Sequence, residues 1–191
     1  MSNQLLIPFR INRKTMKRII YVLILLVSCS IVEARDFYQA AMQQNGTLYF
    51  VFPQRMPVLN AYGRQGLKPL DYDYTYLDSR DSVSMLMTVE CNMLCQMDHA
   101  MITYGNGKTI SSEVEILYCD KKKMQWVHRI GIKFTHGQWM EMYSQLKPFT
   151  ISLVDKNGMP IVAFSDKVNN WGKIRTQFTD LMTVIRLNKK P

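Results

Sequence analysis

The chain of 191 residues contains no G-x-S-x-G elbow, no P-loop and no glycine-rich dinucleotide fingerprint. The motif-borne routes to acyl transfer, nucleotide hydrolysis and dinucleotide binding are therefore not written in it. Histidine is scarce: His99, His128 and His136 are the only three, and none sits in a motif of metal-ligand spacing. There is no compact Arg/Lys stripe interleaved with aromatics, which argues against nucleic acid as a partner. Internal repeats and low-complexity tracts are also missing, so a solenoid or a linker-joined array is excluded. The longest unbroken apolar run, Ile19 to Val27, is too short for a comfortable membrane span.

What is there fits one globular domain, with 47% hydrophobic and 20% charged residues. The formal charge of +9 overstates the basic character of the folded part. Arg10, Arg13, Lys14, Lys17 and Arg18 all fall within residues 1–34; without that segment 19 bases face 14 acids, a net +5. A mild excess favours solubility and weak contact with anionic surfaces. The "DKKK" run at 120–123 reads as a solvated hairpin tip.

The N-terminal segment has the layout of a secretory signal peptide. Lys17 and Arg18 form a positive start, the apolar run follows, and small residues close it. The natural start on this reading is Met16, with the first fifteen residues an over-extended N-terminus. Two processing routes follow. Cleavage after Val32-Glu33-Ala34 would release a soluble protein beginning at Arg35. Alternatively Leu26-Val27-Ser28-Cys29 resembles a bacterial lipobox, with Cys29 lipidated and the protein anchored in the cell envelope. Residues 35–191 are then a single domain, periplasmic or secreted, or lipid-anchored.

Most of that domain alternates with period two. "TLYFVFP" (47–53) is β-rich and ends on Pro53, and 54–70 reads as an irregular excursion. "DYDYTYLD" places Tyr72, Tyr74 and Tyr76 on one face. Outward, those rings could hold a sugar chain or an extended peptide; inward, they belong to the core. Residues 83–91 alternate, a tight turn at Gly105-Asn106-Gly107 joins strands near 99–104 and 109–119, and Trp126, His128, Ile130, Ile132 and Phe134 share a face. The period then changes. Thr135 with Gln138 resembles a capping box, and Trp139, Met142, Tyr143 and Leu146 follow helical spacing over about 136–146. A hairpin at 149–164 precedes an amphipathic helix over about 166–187, striped by Trp171, Ile174, Phe178, Leu181 and Ile185. The expected fold is α+β and mainly antiparallel, a sandwich or strongly bent sheet packed by two helices.

The run "MLMTVECNMLCQMDHAM" (85–101) holds most of the chemistry. Met85, Met87, Val89, Cys91, Met93, Cys95, Met97, His99 and Met101 are all odd-numbered, as on one face of a strand with a break or bulge near Asn92–Leu94. Core packing explains these residue types. Cys91, Cys95, Met97 and His99 are also the ligand types that Cu(I) prefers, which keeps a copper-handling protein as an alternative. In an oxidising compartment a disulfide competes more strongly. Continuous strands either side of Gly105–Gly107 would set Cys119 across from 93–95, favouring Cys95–Cys119 or Cys91–Cys119 over Cys91–Cys95.

These observations lead to an exported, bacterial-type envelope protein, a non-catalytic binding or accessory module without a cofactor. Its partner would be another envelope protein or a surface polymer, with membrane contact only through a lipid on Cys29. A hydrolase with a site assembled across strands is the second alternative; Asp71 with Asp73 and Glu113 with Glu115 are its candidate carboxylates.

Overall fold

Strict alternation in Leu70–Leu77 (β4) and Val83–Cys91 (β5) buries every second side chain of both strands, so the two pair with one apolar face inward. The computed structural model describes residues 37–188; the signal-like segment and Cys29 lie outside the described residues. Gly46–Met56 (β2) pairs with β4, and Tyr38–Gln43 (β1) forms the edge beside β2. On the other side of β5 lies Gln125–Phe134 (β9), followed by Glu115–Lys122 (β8) at the opposite edge. These six strands are antiparallel throughout.

A second antiparallel sheet runs Val58–Asn60 (β3), Pro160–Ser165 (β11), Thr150–Val154 (β10), His99–Tyr104 (β6) and Lys108–Glu113 (β7). Both sheets contribute to one contiguous hydrophobic core, joined by His136–Ser144 (α1) and Val168–Asn188 (α2). The fold is α+β and sandwich-like, with one short and one C-terminal helix.

The helices cover the inner face of β4 with rings. Trp139 on α1 lies 5.2 Å from Tyr74 and 4.6 Å from Phe178 on α2, centroid to centroid. The α1 start is the capping box that the residue types imply: Gln138 N donates to Thr135 Oγ1 and Thr135 N donates to Gln138 Oε1. The helix stops at Ser144, earlier than the spacing suggested, and Leu146 is exposed rather than part of its stripe. Trp171, Phe178, Leu181 and Ile185 of α2 are buried as their spacing requires.

Three expectations are corrected. Pro53 does not end its strand: β2 continues to Met56, and the pairing with β4 skips between Val51 and Gln54. Proline lacks the N–H a regular ladder needs, so it sits in the irregular step. The sulfur-rich run breaks at Asn92–Leu94 as expected, but it does not resume on the same face: β5 ends at Cys91, residues 92–98 form a loop, and β6 joins the other sheet with its phase reversed. Ala100, Ile102 and Tyr104 therefore face inward, and Met101 is exposed. Third, 109–119 is not continuous. It breaks at Val114, whose N–H donates to Asp98 O, and the chain passes from β7 in one sheet to β8 in the other.

Candidate functional site

The tyrosine stripe is core. Tyr72, Tyr74 and Tyr76 are each at most 1% exposed, so they present no ligand-binding surface. Tyr74 and Tyr143 hydroxyls pair at 3.0 Å, and Tyr76 stacks on His136 with centroids 4.7 Å apart. Burial pushes the Tyr74 and Tyr143 hydroxyls well above their ordinary ionisation range, so they act as neutral hydrogen-bonding groups.

Three of the four carboxylates proposed for hydrolysis, Asp71, Asp73 and Glu115, face cations. Arg55 bonds Asp71 at 3.1 Å, and Arg129 clasps both Asp73 and the Thr88 hydroxyl. Glu115 lies 3.9 Å from Lys133. Asp71 and Asp73 are on the outer side of β4, away from the buried tyrosines.

Among the described residues, reactive groups gather where β5 turns into the 92–98 loop. Cys91 Sγ and Cys95 Sγ are 3.3 Å apart, near each other but not bonded. The carbonyl of Met93 lies beside both, accepting from Cys91 Sγ at 2.8 Å and standing 3.6 Å from Cys95 Sγ. His128 arrives from β9, where it stands opposite Val89 on β5 and Cys119 on β8. Its Nε2 accepts the Cys95 backbone N–H at 3.3 Å, which puts the neutral ring's proton on Nδ1. Nδ1 is buried and has no hydrogen-bond partner among the described residues.

The loop is clamped from outside by residues 64–66. Asn92 N donates to Gln65 O at 3.3 Å, and an Arg64 guanidinium N–H reaches Met93 Sδ at 3.3 Å. Gly66 has φ +66, and a Cβ there would sit 2.0 Å from Asn92 Oδ1. Only glycine allows that approach in that conformation. Beneath the clamp both thiols are buried, while Met93 and Leu94 between them are exposed. A surface cavity of about 390 Å³ opens beside the loop, lined by Arg64, Leu94, Met97, Asp98, Asp155 and Lys156 among others.

The two sulfurs differ electrostatically. A hydrogen bond from Cys95 pulls Cys91 below the ordinary thiol range to about 5, against the effect of burial. Cys95 is pushed up, first by its bond to Cys91 and then by burial. Physically the two thiols titrate as a pair, with the proton affinity of Cys91 lowered and that of Cys95 raised by the hydrogen bond between them.

The strand arrangement does not bring Cys119 opposite 93–95, where continuous strands would have set it. The break at Val114 carries Cys119 into β8, opposite His128, and no disulfide is at bonding distance among the described residues. The four soft-metal candidates do not converge. Met97 is buried, and His99 Nδ1 is bound to Asp98 at 2.6 Å. Among the described residues no three His, Cys, Asp or Glu side chains are placed to hold a metal ion.

Sequence reasoning placed His128 on an apolar face but missed its position against the two cysteines. That position depends on β5 pairing β9, and the shared alternation of 83–91 and 125–134 was the available signal. Arg64 and Gly66 lay in a segment with no periodicity at all. No protein-family model, curated protein or solved structure matches the chain.

Proposed function

We propose that the chain is an exported, bacterial-type envelope protein, a non-catalytic binding module that takes its partner at the open edge of β8. Export rests on the signal-like order of charge, apolar run and small residues in 16–34. The observation that carries the binding reading is the middle of β8. It has a single neighbour, β9, yet Ile116, Leu117 and Tyr118 are 54%, 45% and 44% exposed.

An edge strand offers a row of backbone donors and acceptors, which proteins ordinarily guard with charge or cover. Here the pairing with β9 shifts register between Ile116 and Tyr118, and charge is confined to the ends, with Glu115 at one and Asp120 to Lys123 at the other. An extended segment of another envelope protein fits this edge: apolar in its middle, and acidic where it meets Lys121 to Lys123. It would add as a further strand, its backbone supplying affinity and its side chains selectivity. A surface polymer lacks the backbone groups that such an edge pairs with.

A photo-crosslinking residue in place of Leu117, introduced in the native cells, tests this. Crosslinking to a second envelope protein, lost on Tyr118→Pro, supports the proposal. Crosslinking only to another copy of the chain, or none from a folded protein, overturns the partner. The mass of the protein isolated from the envelope tests export. A first residue of Arg35, or a lipid on Cys29, supports it, and an unprocessed chain confined to the cytoplasm opposes it.

A further inference from the structure

We propose that Cys91 and Cys95 form a reversible dithiol–disulfide couple that exchanges with the disulfide bond of another molecule, with Cys91 as the attacking sulfur. The inference is independent of binding at β8. It stands on four features already placed together: the 3.3 Å approach of the sulfurs, the buried imidazole of His128, the absence of strand pairing across 92–98, and the exposed Met93 and Leu94.

A disulfide requires sulfurs about 2.05 Å apart, with Cβ atoms about 3.8 Å apart. The present separation needs only a small movement of the loop, whereas Cys119 is held in a different strand opposite His128. Cys91 belongs to the end of a strand and Cys95 to the loop, so the loop side moves and the sheet stays fixed. Access is the second requirement, because both thiols are covered. The cover is the short Asn92–Met93–Leu94 arch, whose backbone tie to the clamp is the single bond from Asn92 to Gln65. Lifting the arch exposes Cys91 without disturbing the β5–β9 pairing.

The exchange balances as follows. The Cys91 thiolate attacks one sulfur of R–S–S–R, forming Cys91–S–S–R and releasing one R–S⁻. Cys95 gives its proton to that R–S⁻, and the Cys95 thiolate attacks Cys91 Sγ. The Cys91–S–R bond breaks, a second R–S⁻ leaves, and it takes up the proton that Cys91 had first given to solvent. Two electrons pass from the protein dithiol to the disulfide, yielding one protein disulfide and two R–SH. The asymmetry of the two thiols supports this order, since the more acidic one attacks and the less acidic one resolves.

The resulting bond would fix the 92–94 arch with Met93 and Leu94 facing outward and Leu94 on the cavity wall. Its redox state would thus set the shape of that surface.

The test uses reduced full-length protein and oxidised glutathione as the probe, with acid quenching and alkylation in denaturant. The peptide 81–108 contains both cysteines and ends on Lys108, while Cys119 lies in the next, 109–121. The expected result is 81–108 lighter by two hydrogens and unalkylated, with Cys119 alkylated. In Cys95→Ser the mixed disulfide should accumulate on Cys91, about tenfold faster than on Cys95 in Cys91→Ser. Alkylation of both Cys91 and Cys95 in the wild-type protein, or a bond from either to Cys119, overturns the proposal. The wild-type mass decides whether the couple forms even if a variant does not fold, and equal rates in the two variants overturn Cys91 as the attacking sulfur.

Discussion

The hydroxyls of Tyr74 on β4 and Tyr143 on α1 meet at 3.0 Å inside the core, where neither ring reaches water. A buried hydroxyl that loses its partner costs more than the bond itself was worth, whereas removing both partners leaves nothing unsatisfied. Tyr74→Phe alone should therefore destabilise the protein by about 1–2 kcal/mol. The double variant Tyr74→Phe/Tyr143→Phe should cost less than the sum of the singles by at least about 0.5 kcal/mol. Urea denaturation of the four proteins measures this. Strict additivity would mean that the two hydroxyls are not energetically joined.

Phe178 is where the helices meet the sheet. Its ring stacks on Tyr143 with centroids 3.6 Å apart and receives Trp139 edge-on at 4.6 Å. Truncation would remove contacts with α1 and β4 together, and neighbouring rings are too rigid to collapse into the space. Phe178→Ala should cost about 3–5 kcal/mol, and Leu146→Ala, at an exposed position, less than about 0.5 kcal/mol. Thermal or chemical denaturation separates the two. Comparable losses would show that the helix end at Ser144 is misplaced.

The contrast between these residues shows what the chain declares locally. Periodicity sufficed for β4, β5, β9 and both helices, because each buries a face whose residues sit at fixed intervals. It could not reveal that 109–119 changes sheets at Val114, since both halves remain plausible strand and only distant partners distinguish them. The same switch after Cys91 reversed the phase of β6 and brought Cys95 back beneath Cys91. Thus the sulfur run was visible as composition, but its geometry was not. His128 completes the site from 33 residues beyond Cys95, through strand pairing that no local pattern encodes.

The clamp on the thiol loop makes its own prediction. At φ +66 any side chain is strained by about 1–2 kcal/mol, and at Gly66 a Cβ would also strike Asn92. Gly66→Ala should separate residues 64–66 from the arch while leaving the sheet pairing of β5 intact. Alkylation of Cys91 and Cys95 under native conditions should then accelerate, with Cys119 unchanged as the internal control. Equal acceleration at all three cysteines would indicate general unfolding and remove the clamp as an explanation.

The last prediction concerns pH. The groups bearing on the dithiol are His128 from β9, Cys119 from β8 and Arg64 from the clamp, besides the two thiols themselves. Cys91 has its proton affinity lowered, to about 5, so its stabilisation of the fold is present at high pH and lost as pH falls through that value. Cys95 is raised, so its contribution is present below the unfolded thiol value of about 8.5 and declines as pH rises past it. Together they make the reduced protein gain stability, relative to Cys91→Ser/Cys95→Ser, as pH rises from about 5 to about 8.5, and lose it above. Reactivity follows the same logic. Cys119 is pushed up by burial and by Asp120, so its alkylation should climb about tenfold per pH unit between about pH 6 and about pH 8. Cys91 should climb less steeply over that range, because its proton affinity is lowered by the bond from Cys95. Peptide masses from timed alkylation of the reduced protein give both profiles at once. If Cys91 climbs in parallel with Cys119, its proton affinity is not lowered by Cys95, and the proposed direction of attack fails with it.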